Sequence, residues 1–184
     1  MEKDIGRKDF LKKGFFQVFN FFQDIFGEVN SLSYSPIRPP GAIEEKKFLD
    51  TCVKCGSCIS ACGQSSIKFA GIEASFLIGY PIIIPSERPC FACDDLSCMK
   101  ACPSGALQLT EKNNIKMGTA IVNKEKCITY SGKDCDICVK SCPFPQEAIF
   151  INENKNPIVN DSCIGCGLCE YWCEYKAISI KSNR

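Results

Sequence analysis

Apolar residues recur along this chain in two rhythms. Near the N-terminus, Leu11, Phe15, Val18, Phe22, Ile25 and Val29 follow three- and four-residue steps, with Gln17, Asn20, Gln23 and Asp24 among them. That is the stripe of an amphipathic helix. Further on the rhythm shortens to two: Ile67 and Phe69, Leu107 and Leu109, Ile149 and Ile151, and Ile178 and Ile180 are alternating pairs. A small residue stands just before each pair, namely Ser66, Ala106, Ala148 and Ala177. Each pair predicts a short β-strand. Between the two regimes lie Pro36, Pro39 and Pro40, which predict an extended linker over 35–41. The pattern thus divides the chain into a helical segment with linker, 1–41, and a domain of small repeated units, 42–184.

Composition narrows what those units do. The 184 residues carry 22 Lys+Arg against 21 Asp+Glu, a formal charge of +1, which leaves no strong electrostatic footprint for nucleic acid. The longest apolar stretch, Phe76 to Pro85, contains Gly79 and Pro81 and falls short of the about eighteen residues of a membrane span. Histidine is absent, which excludes Ser-His-Asp and Cys-His catalysis and a Rieske centre. No glycine-rich phosphate loop or dinucleotide fingerprint occurs; Gly165 and Gly167 lie inside a cysteine motif.

All 16 cysteines fall in four clusters. Cys52, Cys55, Cys58 and Cys62 form C-x2-C-x2-C-x3-C, and Cys163, Cys166, Cys169 and Cys173 repeat it. Cys90, Cys93, Cys98 and Cys102 form C-x2-C-x4-C-x3-C, while Cys127, Cys135, Cys138 and Cys142 form C-x7-C-x2-C-x3-C. Pro103 and Pro143 follow the second and third motifs at once. The spacing C-x2-C-x2-C-x3-C-P is that of bacterial-type ferredoxins. Three thiolates on a tight loop hold one [4Fe–4S] cluster, and the fourth reaches the partner cluster. A secreted disulfide framework fits poorly, because the central cysteine of C-x2-C-x2-C has no good local partner. Structural zinc draws two separate C-x2-C pairs, often with histidine, and fits no better. The sixteen thiolates predict four [4Fe–4S] clusters that move electrons, with no iron left open to a substrate.

Each unit reads as a cysteine loop, one helical turn opened by the last cysteine, and a short strand, giving an α+β fold of two bacterial-ferredoxin-like units. Motifs one and four share their spacing and lack the proline, whereas two and three carry insertions and the proline. That likeness favours nesting, one against four and two against three, with sequential pairing as the alternative. Nesting implies the sets Cys52, Cys55, Cys58 with Cys173; Cys163, Cys166, Cys169 with Cys62; Cys90, Cys93, Cys98 with Cys142; and Cys127, Cys135, Cys138 with Cys102. Lys54, Lys100 and Lys140 sit within the motifs, either as solvated cations or as charges favouring the reduced clusters. Tyr171 and Trp172 flank Cys173 and are expected to shield it from water.

Seven of the thirteen phenylalanines lie in the first thirty residues. Gly6-Arg7-Lys8-Asp9-Phe10-Leu11-Lys12 resembles the twin-arginine export motif, with lysine in place of the second arginine. The segment therefore reads as an export signal, as an amphipathic helix that docks on a membrane or partner through residues 10–30, or as a helix on the domain's own core. From that motif through Arg38-Pro39-Pro40-Gly41-Ala42, Cys52-Val53-Lys54-Cys55-Gly56, Ile82-Ile83-Ile84-Pro85, Pro89-Cys90-Phe91-Ala92-Cys93 and the stretch from Cys98 to Leu107, the chain resembles the NapG/MauM family of ferredoxin-type proteins. The resemblance implies four [4Fe–4S] clusters and an electron carrier without its own substrate site. It also implies work beside a NapH-like membrane iron–sulfur protein or a respiratory oxidoreductase on the periplasmic face; a cytoplasmic, membrane-associated carrier is the alternative. The MauM branch brings a second expectation, a maturation factor for a metalloenzyme, and a third is a subunit of a larger oxidoreductase.

Overall fold

A computed structural model describes residues 36–183 of the chain. The amphipathic stripe and the export-like motif lie outside those residues. The described part is built from five short α-helices and six short strands: α1 Glu45–Thr51, α2 Ser57–Ser60, β1 Lys68–Phe69, β2 Pro81–Ile82, α3 Ser97–Lys100, β3 Gly118–Val122, α4 Ile137–Lys140, β4 Ile149–Ile151, β5 Pro157–Val159, α5 Leu168–Tyr171 and β6 Ile178–Ser182. Among the described residues no helix is long and apolar enough to cross a membrane.

The strands form three antiparallel pairs, β1 with β2, β3 with β6 and β4 with β5. Their order repeats. In residues 118–183, β3 before the third motif pairs with β6 after the fourth, Val122 opposite Ile178, and the β4–β5 hairpin lies between them. In residues 36–109, Ala42 before the first motif bridges Leu107 after the second, with the β1–β2 hairpin between. Each half is therefore one ferredoxin-like unit made from two consecutive motifs. α2 packs against α3 and α4 against α5, so the pairing is sequential and the nested expectation is overturned. The physical reason is local: a hairpin can bring two neighbouring motifs together directly, whereas nesting would need strand pairing across the whole chain.

The strand expectations hold in full at Ile149/Ile151 and Ile178/Ile180; at Ile67/Phe69 only Phe69 lies in a strand. Ile67, Leu107, Ile149 and Ile178 are buried, and so are the small residues Ser66, Ala106, Ala148 and Ala177 before them. Leu107 forms only an isolated bridge, and its companion Leu109 is exposed. The helical turns differ from expectation. Each starts one residue before the third cysteine and ends before the fourth, so Pro103 and Pro143 follow helix ends instead of opening helices. A proline there cannot continue the helix, which fits the stop.

The proline-rich segment is no spacer. Pro36 to Pro40 are buried, and Ile37 bridges Ile83. Arg38, fully buried, aims its guanidinium at Glu45: Nε donates to both carboxylate oxygens at 3.2 Å and Nη2 to Oε1 at 2.6 Å. Nη1 donates to the Pro81 carbonyl at 3.1 Å, and the group stacks 4.8 Å from the Phe48 ring. Glu44 caps α1 by accepting from the Lys46 and Lys47 amides, and those bonds hold its carboxyl below the usual range. One apolar core, around Phe48, Ile67, Leu107 and Met117, fills the first half and reaches Ile164 and Leu168 of the second; another, around Ala120, Val139, Ile149 and Ile178, lies within the second half.

Candidate metal centres

The cysteine loops are shaped by backbone in left-handed conformations. Lys54 (φ 55), Ala92 (φ 48) and Gly165 (φ 71) each stand directly before the second cysteine of a motif. A side chain at such a φ costs about 1–2 kcal/mol, which Lys54 and Ala92 bear because the loop must curl inward. The short helices follow the N-cap residues Gly56, Leu96, Asp136 and Gly167 and carry the third cysteine of each motif.

The result is four sets of thiols. Site one gathers Cys52, Cys55, Cys58 and Cys102 around one cavity. Site two gathers Cys62, Cys90, Cys93 and Cys98. Site three gathers Cys127, Cys135, Cys138 and Cys173. Site four gathers Cys142, Cys163, Cys166 and Cys169: burial holds the Cys166 and Cys169 thiols above their usual pKa, and the nearby Cys142 and Cys163 add to the rise. Three cysteines of one motif are thus joined by the last cysteine of the neighbouring motif. Every predicted cysteine is used, but the fourth partner in each set is not the one nesting assigned: Cys102 replaces Cys173 at site one, Cys62 replaces Cys142 at site two, Cys173 replaces Cys102 at site three and Cys142 replaces Cys62 at site four.

Burial dominates the electrostatics. It pushes the Cys58 and Cys90 thiols up to about 12, and Cys98, Cys138 and Cys166 up to about 11, with neighbouring thiols adding to the rise. Burial raises Cys169 still further. Thiols gathered around one space, at least one of them buried in every set, are costly as thiolates unless a cation shares the site. At Cys102 burial is outweighed by hydrogen bonds from the Leu107 amide and Ser104, and the thiol sits below its ordinary value. The Ser57 hydroxyl lowers the exposed Cys55 in the same way.

The donor set fits [4Fe–4S] better than zinc. Among the described residues no three Cys, Asp or Glu side chains come close enough to hold a single metal ion, yet four thiols surround each space. A cubane has that wider span and takes all-thiolate ligation. One recurring feature was not anticipated. The last cysteine of three motifs accepts a backbone N–H: Ser66 to Cys62, Leu107 to Cys102 and Ala177 to Cys173, each at 3.3 Å. Such donors stabilise negative charge on sulfur and tune potential. At Cys62 and Cys173 the donor is the small residue four positions on, a signal present in the sequence, whereas at Cys102 it is Leu107, five positions on.

The flanking residues are placed less as expected. Trp172 and Tyr171 stack edge to face, 5.2 Å apart, but are 53% and 43% exposed, so they do not seal Cys173. Lys54 is fixed, donating to the Ile78 carbonyl at 3.1 Å and lying 4.0 Å from the Tyr80 ring centroid. Lys140 forms an exposed i,i+4 pair with Asp136.

Known iron–sulfur proteins resemble this chain. A 4Fe-4S dicluster domain model matches residues 89–146, and a 4Fe-4S binding domain model matches 49–65 and 160–176. The dicluster match covers motifs two and three, neighbours in sequence that lie in different halves in space; linear spacing alone does not distinguish those pairings. The ferredoxin-type protein NapG of Escherichia coli (strain K12) is 37% identical over 159 residues, covering 79% of this chain and 69% of that protein. The methylamine utilization ferredoxin-type protein MauM of Methylorubrum extorquens is 39% identical over 156 residues, covering 79% and 71%. MauM of Methylophilus methylotrophus is 35% identical over 191 residues, covering 97% and 84%.

Proposed function

The chain belongs to the NapG/MauM family of ferredoxin-type iron–sulfur proteins, and from that premise we propose that it relays single electrons through four [4Fe–4S] clusters to or from a membrane-linked respiratory oxidoreductase. The observation that carries this reading is the gathering of sixteen thiols into four sets of four. Bound clusters would supply reversible one-electron chemistry. The chain's own residues supply the ligands, the amide donors to Cys62, Cys102 and Cys173, and apolar walls that limit water. With four thiolates for each cluster, no iron has a place for substrate, and the chain acts as a carrier without catalysis of its own.

The partner in this reading is a NapH-like membrane iron–sulfur protein or the oxidoreductase itself, met on the periplasmic face after export through the twin-arginine-like segment. A cytoplasmic, membrane-associated carrier is the alternative location. The similar identity to NapG and to MauM relatives also supports a second reading, a maturation factor that supplies electrons while a metalloenzyme is built. Affinity purification from detergent-solubilised membranes separates the two. A quinol-oxidising membrane protein that copurifies and reduces the clusters supports the relay. Copurification only with an unfinished apoenzyme contradicts it, and fractionation of the native chain reads its location.

A further inference from the structure

Sites one and two share two helical turns. α2 carries Cys58 of site one and ends just before Cys62 of site two, while α3 carries Cys98 of site two and ends just before Cys102 of site one. α4 and α5 join sites three and four in the same manner, through Cys138 and Cys142 and through Cys169 and Cys173. Between the halves the join is of another kind. The backbone N–H of Cys90, in site two, donates to the backbone oxygen of Cys166, in site four, at 2.9 Å. Both cysteines are buried, 8% and 7% exposed, within one apolar core that spans the two halves.

We propose that electrons cross between the halves at the Cys90–Cys166 backbone hydrogen bond, so that the sites are visited in the order one, two, four, three. This rests on the relay reading above. An electron that crosses there leaves one site oxidised by one and the next reduced by one; no atom or proton moves. A one-electron donor protein at one end of the series and an acceptor at the other complete the balance.

The crossing is held closed by a glycine beside Cys166. Gly167 has φ +86, and an added Cβ would stand 2.4 Å from Pro85 Cβ and 3.3 Å from Pro85 Cα. Pro85 belongs to the first half and Gly167 to the second, so only a residue without a side chain lets the two backbones meet so near the two ligand cysteines. Gly167 is a positioning residue for the transfer. Gly63, with nothing within 4 Å of its added Cβ, is the control without such a clash.

Pulsed EPR on the dithionite-reduced full chain reads the magnetic coupling between neighbouring reduced sites. The order predicts three couplings, one inside each half and one across. Gly167→Ala loses the coupling across and keeps its iron and the two inside; Gly63→Ala keeps all three. Two isolated pairs in the wild type overturn the order, and so does an unchanged cross-coupling in an iron-loaded Gly167→Ala. Should Gly167→Ala fail to hold iron, the double variant Cys55→Ala/Cys135→Ala, which leaves sites two and four intact, decides: a coupled pair supports the crossing, and two uncoupled spins overturn it. Iron and acid-labile sulfide are counted on the same samples. Their absence from the wild type defeats the relay reading itself, whereas their presence without cross-coupling defeats only the path.

Discussion

Arg38 shows how a single residue turns an expected linker into core. A buried guanidinium needs its donors satisfied and its charge paired, and Glu45 and the Pro81 carbonyl meet both needs. Removing one partner of such a pair costs about 3 kcal/mol, at the low end of the range for buried pairs because Glu45 remains a quarter exposed. Arg38→Met should therefore lower the guanidinium midpoint of the anaerobic, cluster-loaded protein, and Arg38→Lys, which keeps the charge and loses the fork, should fall between. An unchanged midpoint in Arg38→Met would show that the pair contributes little. At this scale the sequence was only partly legible. Its cysteines announced ligation by spacing alone, but nothing in Arg38-Pro39-Pro40 distinguished a buried arm from an extended linker, because prolines favour both. The exposure of Trp172 was equally hidden, since burial is set by what lies opposite in space.

Elements in this fold are too short to stand alone. Helices of four residues, Ser57–Ser60 and its three counterparts, hold few internal hydrogen bonds and depend on the loops they anchor. Their existence was readable from the repeat; their placement before the fourth cysteine was not, because the proline after Cys102 reads as a helix start as readily as a stop. Of the strands, β4 and β6 followed from alternating apolar pairs, while β3 and β5 carried no such signal and were found only as partners. Those partners decide the pairing of motifs, which spacing left open. The sequential pairing makes a direct prediction about Cys62. Cys62→Ala should lose the iron of site two alone and expose Cys90, Cys93 and Cys98 to iodoacetamide, as peptide mass mapping would show. Alkylation of Cys163, Cys166 and Cys169 in their place would restore the nested arrangement.

For the whole molecule, the cofactors and the fold are one equilibrium. Thiols that burial holds well above their ordinary pKa must lose their protons to bind iron, so loading should release protons and stabilise the folded chain together. Stripping the clusters with ferricyanide and a chelator is expected to remove hydrogen-exchange protection along the β3–β6 ladder, from Gly118 opposite Ser182 to Val122 opposite Ile178. Protection that survives stripping would mean that the apolar cores suffice without metal. The central claim is that all four thiol sets hold redox-active clusters, and one measurement reaches it most directly. Anaerobic reductive titration, followed by the bleaching of visible absorbance, should take up about four electrons per chain, one for each [4Fe–4S] site. A chain that takes up no electrons, or that holds zinc without sulfide, would contradict the account.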